Sequence, residues 1–189
     1  LSRHHSLHIS PDGLVSITGG KLTTYREMAH DTIDAVVVRL GVKARCRTRN
    51  LPLLGAKGFR AQPAGSAAAH LDGRYGALAG EVQRLVATDA HLGRPLVPGL
   101  PYLRAEAVYA VRAEMAITLD DVLTRRTRAR LLDRAATVAA APAVAALLAP
   151  ELGWDAAETQ RQITHFLALC AAEDAAAHTS HVAPAEAAT

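Results

Sequence analysis

Cysteine and aromatic side chains are scarce in this chain, and each scarcity excludes something. Cys46 and Cys170 are the two cysteines in 189 residues. They have no metal or redox spacing, so neither a zinc site nor a disulfide framework is expected, and a reduced, cytoplasmic setting fits. Aromatic bulk comes from Phe59, Phe166, Trp154 and four tyrosines alone. Half of the residues are hydrophobic, much of that fraction alanine, a composition that suits closely packed helices. The net charge of +3 is too small to argue for nucleic acid. No apolar run reaches ~18 residues without a charge, so no spanning segment is expected. The chain opens on Leu1 with no signal peptide, and the expectation is that it begins inside a longer protein.

What is present begins with a strand-to-helix junction. Leu14–Thr18 alternates apolar and polar residues and is β-branched, which predicts a strand. Ser10-Pro11-Asp12-Gly13 is a turn signature, so residues 6–18 read as a hairpin. From Leu22 to Leu40 apolar residues keep helical spacing, with Gly41 placed as a C-cap. Thr24-x-x-Glu27 has the form of a capping box, predicting a helix start near Thr23 or Thr24. Residues 42–72 are punctuated by Pro52, Gly55, Gly58, Pro63 and Gly65 and read as a connection. Helices are then expected over about 75–88, 104–115, 119–126, 131–140, 143–148 and 156–172. Pro142 is expected to break one of them, and Asp155 to cap the last. The expected organisation is a first piece over 1–44, a helical domain over 45–172 with an irregular first half, and a disordered tail over 173–189.

Between strand and helix lies Gly19-Gly20-Lys21-Leu22-Thr23-Thr24-Tyr25-Arg26. A glycine turn, a lysine and two hydroxyls at a helix N-terminus make an anion site, because free N–H groups and the helix dipole both favour negative charge there. It is not a nucleotide P-loop: the required glycine and Ser/Thr positions hold Val15 and Leu22. The alternative is an ordinary tight turn with a surface lysine. If the hairpin forms, Arg3 can reach the same face as Lys21, an arginine fork beside a point charge; otherwise it is a solvated arginine. His4, His5 and His8 look metal-like, but an extended segment puts His5 opposite the other two and no carboxylate completes a set. Asp120 and Asp121 form a paired-acid candidate. The reading preferred is structural, with acids at a helix start and Arg125, Arg126 and Arg128 towards its end.

Ser2-Arg3-His4-His5-Ser6, Asp12-Gly13-Leu14, the Gly19–Arg26 run with Met28-Ala29, and Glu114–Arg128 together resemble the C-terminal third of the FAD-dependent (aerobic) glycerol-3-phosphate dehydrogenases. The resemblance runs through 2–40, thins over 42–100 and returns at 102–135. It implies an α/β fragment, the hairpin and strand-to-helix end of an FAD-binding domain, followed by an all-α C-terminal domain. It implies FAD as cofactor, with Gly20, Leu22 and Thr23 beside the flavin and the helix N-terminus favouring its negatively charged reduced form. It implies Arg3 and Lys21 as substrate-binding cations, Lys21 also catalytic, and oxidation of glycerol 3-phosphate to dihydroxyacetone phosphate, with electrons passing to a quinone. A peripheral position on the cytoplasmic membrane face follows, with room for a homodimer and no role for nucleic acid. The dinucleotide fingerprint Gly-x-Gly-x-x-Gly is missing from these residues, so the chain alone is expected to be inactive. Two other readings remain: another FAD-dependent amine or hydroxy-acid oxidoreductase, and a stand-alone helical module whose arginines dock a partner.

Overall fold

Alternation and turn chemistry build the N-terminal hairpin. Strands β1 (His5–Ile9) and β2 (Val15–Gly19) pair antiparallel, in register from His5 opposite Gly19 to Ile9 opposite Val15. Their connection closes through Gly13 N–H to the Ser10 carbonyl (2.9 Å) and Leu14 N–H to Ser10 Oγ (3.0 Å). Gly13 sits at φ +98°, open to glycine at little cost. The computed structural model describes residues 4–60 and 67–179, and the chain falls into two units that divide between Lys57 and Gly58.

In the first unit a single 3-10 turn (Leu22–Thr24) leads from the hairpin into α1 (Tyr25–Arg39), and Gly41 follows it at φ +65°. The helix therefore starts where expected, but not through the expected cap. Thr24 Oγ1 turns back to Lys21, accepting its N–H (3.2 Å) and donating to its carbonyl (3.0 Å). Glu27 pairs with Arg26 and lies 3.7 Å from His30. Thr24 does stand directly before α1, with Glu27 as the helix's third residue, but its hydroxyl is already engaged by Lys21.

The second unit is helical: α2 (Ala67–Tyr75), α3 (Ala79–Thr88), α4 (Arg104–Ala113), α5 (Ala129–Leu132), α6 (Arg134–Leu152) and α7 (Ala156–Thr179), with a π-helical turn over Asp121–Arg126. The main core gathers Val97, Leu119, Leu123, Val144, Leu148 and Phe166. A second cluster gathers Leu71, Tyr75, Val82 and Tyr109. Helix α4 serves both, with Ala107 and Ala110 in the first and Ala105 and Tyr109 in the second. Alanines at 140, 141 and 145 are buried in the main core, and their small side chains let α6 approach its neighbours closely.

Several expected boundaries move. Helix α2 occupies 67–75, where residues up to 72 were expected to be a connection, and the helix expected over 75–88 begins only at Ala79, after Gly76 at φ +56°. Pro142 does not break α6, which runs from Arg134 to Leu152 with Pro142 and Pro150 inside it. Pro142 lies on the exposed side, so its ring is accommodated away from the core, while Thr137, Ala141, Val144 and Leu148 hold the buried face. Helix α6 is long and apolar enough by length and composition to cross a membrane, which a count of uninterrupted apolar residues missed; in this fold its inner face packs into the core. Asp155 caps α7 as expected, accepting from Glu158 N–H at 2.7 Å. That helix continues past 172 to Thr179, because Glu173 and Asp174 pair with Arg134 and Glu173 also with Arg130. The rest of the expected tail, 180–189, lies outside the described residues.

Candidate functional site

The junction between β2 and α1 is built on two glycines, both in the left-handed region. Gly19 is at φ +78°, and a Cβ there would stand 2.9 Å from the His4 carbonyl oxygen on the paired strand. Gly20 is at φ +82°, and a Cβ there would run into the Met28 thioether and the His5 side chain. After them Lys21 is extended (φ −125°, ψ 152°) and exposed. Its backbone N–H is taken by Thr24 Oγ1 and its carbonyl by the N–H of Thr24 (3.0 Å). The N–H groups of Leu22 and Thr23 find no acceptor among the described residues, as first-turn donors do when no cap reaches them. Leu22 is 90% exposed, so these donors lie beside an open surface.

The structure thus brings Gly20, Lys21, Leu22 and Thr23 into one turn with a cation, two unpaired donors and the positive end of a 15-residue helix. Arg3 lies outside the described residues. His5 anchors the hairpin to α1 through Asp31 (Nε2 to Oδ2, 2.7 Å), whereas His4 and His8 are exposed. Among the described residues no group of three His, Cys, Asp or Glu side chains is disposed to hold a metal.

Two features escaped the sequence reading. In the first unit a groove of about 400 Å³ runs along α1, floored by Tyr25, Ala29, Ile33 and Val37 and flanked by Leu51 and Leu53. Its rim carries Cys46, whose Sγ is 3.0 Å from Thr48 Oγ1, and Arg26 Nη1 donates to that hydroxyl at 3.3 Å. The Thr48 contact holds the exposed thiol below its ordinary pKa. The i, i+4 row on α1 was readable; its partners over 44–53 were not, since their segment has no period.

In the second unit Glu106 is wholly buried. Its carboxylate accepts from Leu103 N–H (2.7 Å) and Tyr75 OH (3.3 Å), and lies 3.1 Å from His70 Nε2. Arg74 Nε is at 2.9 Å, an ion-pair distance whose direction is too poor for a hydrogen bond. The guanidinium also stacks over Tyr75 and Tyr102 and donates to the Arg126 carbonyl (2.5 Å). Burial, with Glu106 next in weight, pushes the Tyr75 phenol well above its ordinary pKa. The only sequence signal was a charged residue within an apolar helix face.

Asp120 and Asp121 fall on the structural side. Asp121 Oδ2 accepts from Ile117 and Thr118 N–H, both at 3.1 Å, and Asp120 binds Thr124 Oγ1 (2.6 Å), Arg125 and Arg130. Arg126 donates from Nε to the Glu114 carbonyl (2.9 Å). These charges are consumed within the helical unit.

Residues 46–159 match the family model described as the C-terminal domain of alpha-glycerophosphate oxidase. The chain belongs to this family. Glycerol-3-phosphate dehydrogenase 2 of Mycobacterium tuberculosis is 39% identical over 186 residues, covering 92% of this chain and 32% of that protein. Glycerol-3-phosphate dehydrogenase of Mycobacterium leprae is 41% identical over the same length and coverage. A crystal structure of glycerol-3-phosphate dehydrogenase from Bacillus halodurans, complexed with FAD, superposes with a TM-score of 0.69 at 26% identity, over 87% of this chain and 36% of that one. The chain therefore spans about a third of the length of the relatives it matches. The resemblance seen in the sequence is met by these comparisons, as is the fold class: a hairpin and strand-to-helix fragment ahead of a helical C-terminal domain.

Proposed function

We propose that this chain is the C-terminal third of an FAD-dependent glycerol-3-phosphate dehydrogenase, and that its contribution to the reaction is the turn Gly20–Thr23. One observation carries the reading: an exposed lysine and two unpaired backbone donors meet at a helix N-terminus, in a chain whose relatives carry that enzyme's name. The donor set fits FAD, since N–H groups at a helix start favour an anionic edge and glycines permit close approach of a flat ring. When bound, FAD would accept the hydride from C2 of glycerol 3-phosphate as the C2 hydroxyl gives its proton to a base outside this chain, giving dihydroxyacetone phosphate.

The residues of this chain have positioning roles. Leu22 and Thr23 donate towards the cofactor. Lys21 holds the substrate's phosphate or hydroxyl as a mobile point charge, and Arg3 grips the phosphate in a fork. Fixing C2 against its acceptor is the kind of orientation that removes several kcal/mol of barrier. Onward transfer to a quinone, a peripheral place on the cytoplasmic membrane face and a homodimer belong to the same proposal. So does inactivity of the chain alone, because it contains no dinucleotide fingerprint.

The test is Lys21→Ala in the full-length protein. A lost charge-assisted contact should lower kcat/KM for glycerol 3-phosphate roughly 10- to 100-fold, with part of the loss restored by Lys21→Arg. An unchanged KM and kcat would remove Lys21 from the site.

A further inference from the structure

The two units differ in how they are held together. Every buried apolar side chain among the described residues lies between Leu71 and Cys170, and none of residues 4–57 is buried. The first unit consists of a two-stranded hairpin, one helix of 15 residues and an irregular segment. An isolated hairpin is marginal in water, and so is a helix of that length. Along that helix Tyr25, Ala29, Ile33 and Val37 recur every four residues and face Leu51 and Leu53 across the groove. Ile33 is 56% exposed, Leu51 66% and Leu53 77%. A contiguous apolar surface of this kind marks an interface.

We propose that this groove is the seat of the portion of the flavoprotein that the relatives possess beyond the matched third, and that the first unit acquires its stable fold only when that portion docks. The identity of the occupant rests on the functional reading above. Shape and charge argue against the alternatives. The groove is concave, walled by α1 on one side and by 44–53 on the other, so two copies meeting face to face would enclose a void rather than pack. Its rim carries both signs, Arg26 and Arg45 with Asp34, which suits a protein ridge with mixed charges and not a uniformly anionic lipid surface. The apolar row starts at Tyr25, directly after the Gly20–Thr24 turn, so a ridge seated in the groove also fixes the direction in which Lys21 and the unpaired donors point. Docking and positioning of the anion-binding turn are one event.

Hydrogen exchange on the 189-residue chain, and on the Mycobacterium leprae dehydrogenase with its matched region replaced by this chain, tests this. In the isolated chain the amides of α1 should exchange at nearly unfolded rates while those of α4 and α6 are protected. In the hybrid, protection of α1 should rise by at least about 100-fold, and Ile33→Asp with Leu53→Asp should abolish that rise without touching α4 or α6. Independently of the hybrid, the isolated chain should bind anilinonaphthalene sulfonate, and the same two substitutions should cut the fluorescence several-fold. The proposal is overturned if α1 in the isolated monomer is as protected as α4, if the dye does not bind, or if protection appears on self-association or with phosphatidylglycerol vesicles. A hybrid that retains FAD yet leaves α1 unprotected also overturns it while the cofactor reading survives; α1 protection without FAD retention does the reverse.

Discussion

Gly19 and Gly20 are both left-handed, but they are not equally replaceable. Any L-residue in that region costs about 1–2 kcal/mol in backbone strain. At Gly20 the new Cβ meets the Met28 thioether, the end of a flexible side chain; at Gly19 it meets the backbone oxygen of His4, which the β1–β2 ladder holds in place. Gly19→Ala should therefore be the more damaging in the full-length protein, read as faster tryptic cleavage after Lys21 and Arg26, with Gly20→Ala intermediate. Equal cleavage rates would mean that strain alone, and not the carbonyl contact, sets the cost. Glu106 makes a different residue-scale case. Its removal strands Arg74, whose guanidinium is packed between Tyr75 and Tyr102. Breaking a buried pair by deleting one partner costs about 3–5 kcal/mol, so Glu106→Ala should lower the urea midpoint sharply, and Arg74→Met in the same chain should restore part of it.

Elements were legible where their signals are local. The hairpin followed from β-branched alternation and a Ser-Pro-Asp-Gly turn, and Asp155 from its place before an apolar run. The Gly19–Thr24 turn was legible for the same reason, since a glycine pair between strand and helix leaves few conformations. The Glu106 cluster was not, because His70 and Glu106 are 36 residues apart and meet only after α2 lies across α4. Helix α6 shows how packing overrules a local signal. Pro142 normally ends a helix, yet here it sits on the solvent side of one whose opposite face is buried. The proline is tolerated, not useful. Pro142→Ala returns an N–H to the Val138 carbonyl and should stabilise the chain by up to about 3 kcal/mol, seen as a higher Tm; a lower Tm would show that the ring itself contributes packing.

At the scale of the whole molecule, acid should act mainly on the helical unit, and two carboxylates there pull in opposite directions. Burial raises the pKa of Asp121, but the N–H groups of Ile117 and Thr118, the Thr118 hydroxyl and Arg125 outweigh it, so the net shift is downward. A depressed carboxylate contributes stability that is complete above its unfolded pKa of 3.8 and is lost as pH falls from there through the lower folded value. Glu114 runs the other way: burial raises its pKa above 4.5 against the attraction of Arg74 and Arg126, so its ionised form costs stability at neutral pH, and protonation near and above pH 4.5 relieves that cost. Between pH 7 and 5 the two effects leave the helical unit level or slightly strengthened; below about pH 4 the Asp121 term dominates and stability falls. Asp121→Asn removes the acid-sensitive part while keeping the side chain's shape. Its urea midpoint should be lower than wild type at pH 7 and should approach wild type at pH 3. Parallel pH profiles for the two proteins would place the acid sensitivity elsewhere, with Glu158, whose carboxylate the Gln162 and Arg161 side chains hold below its ordinary pKa, the next to test by the same comparison.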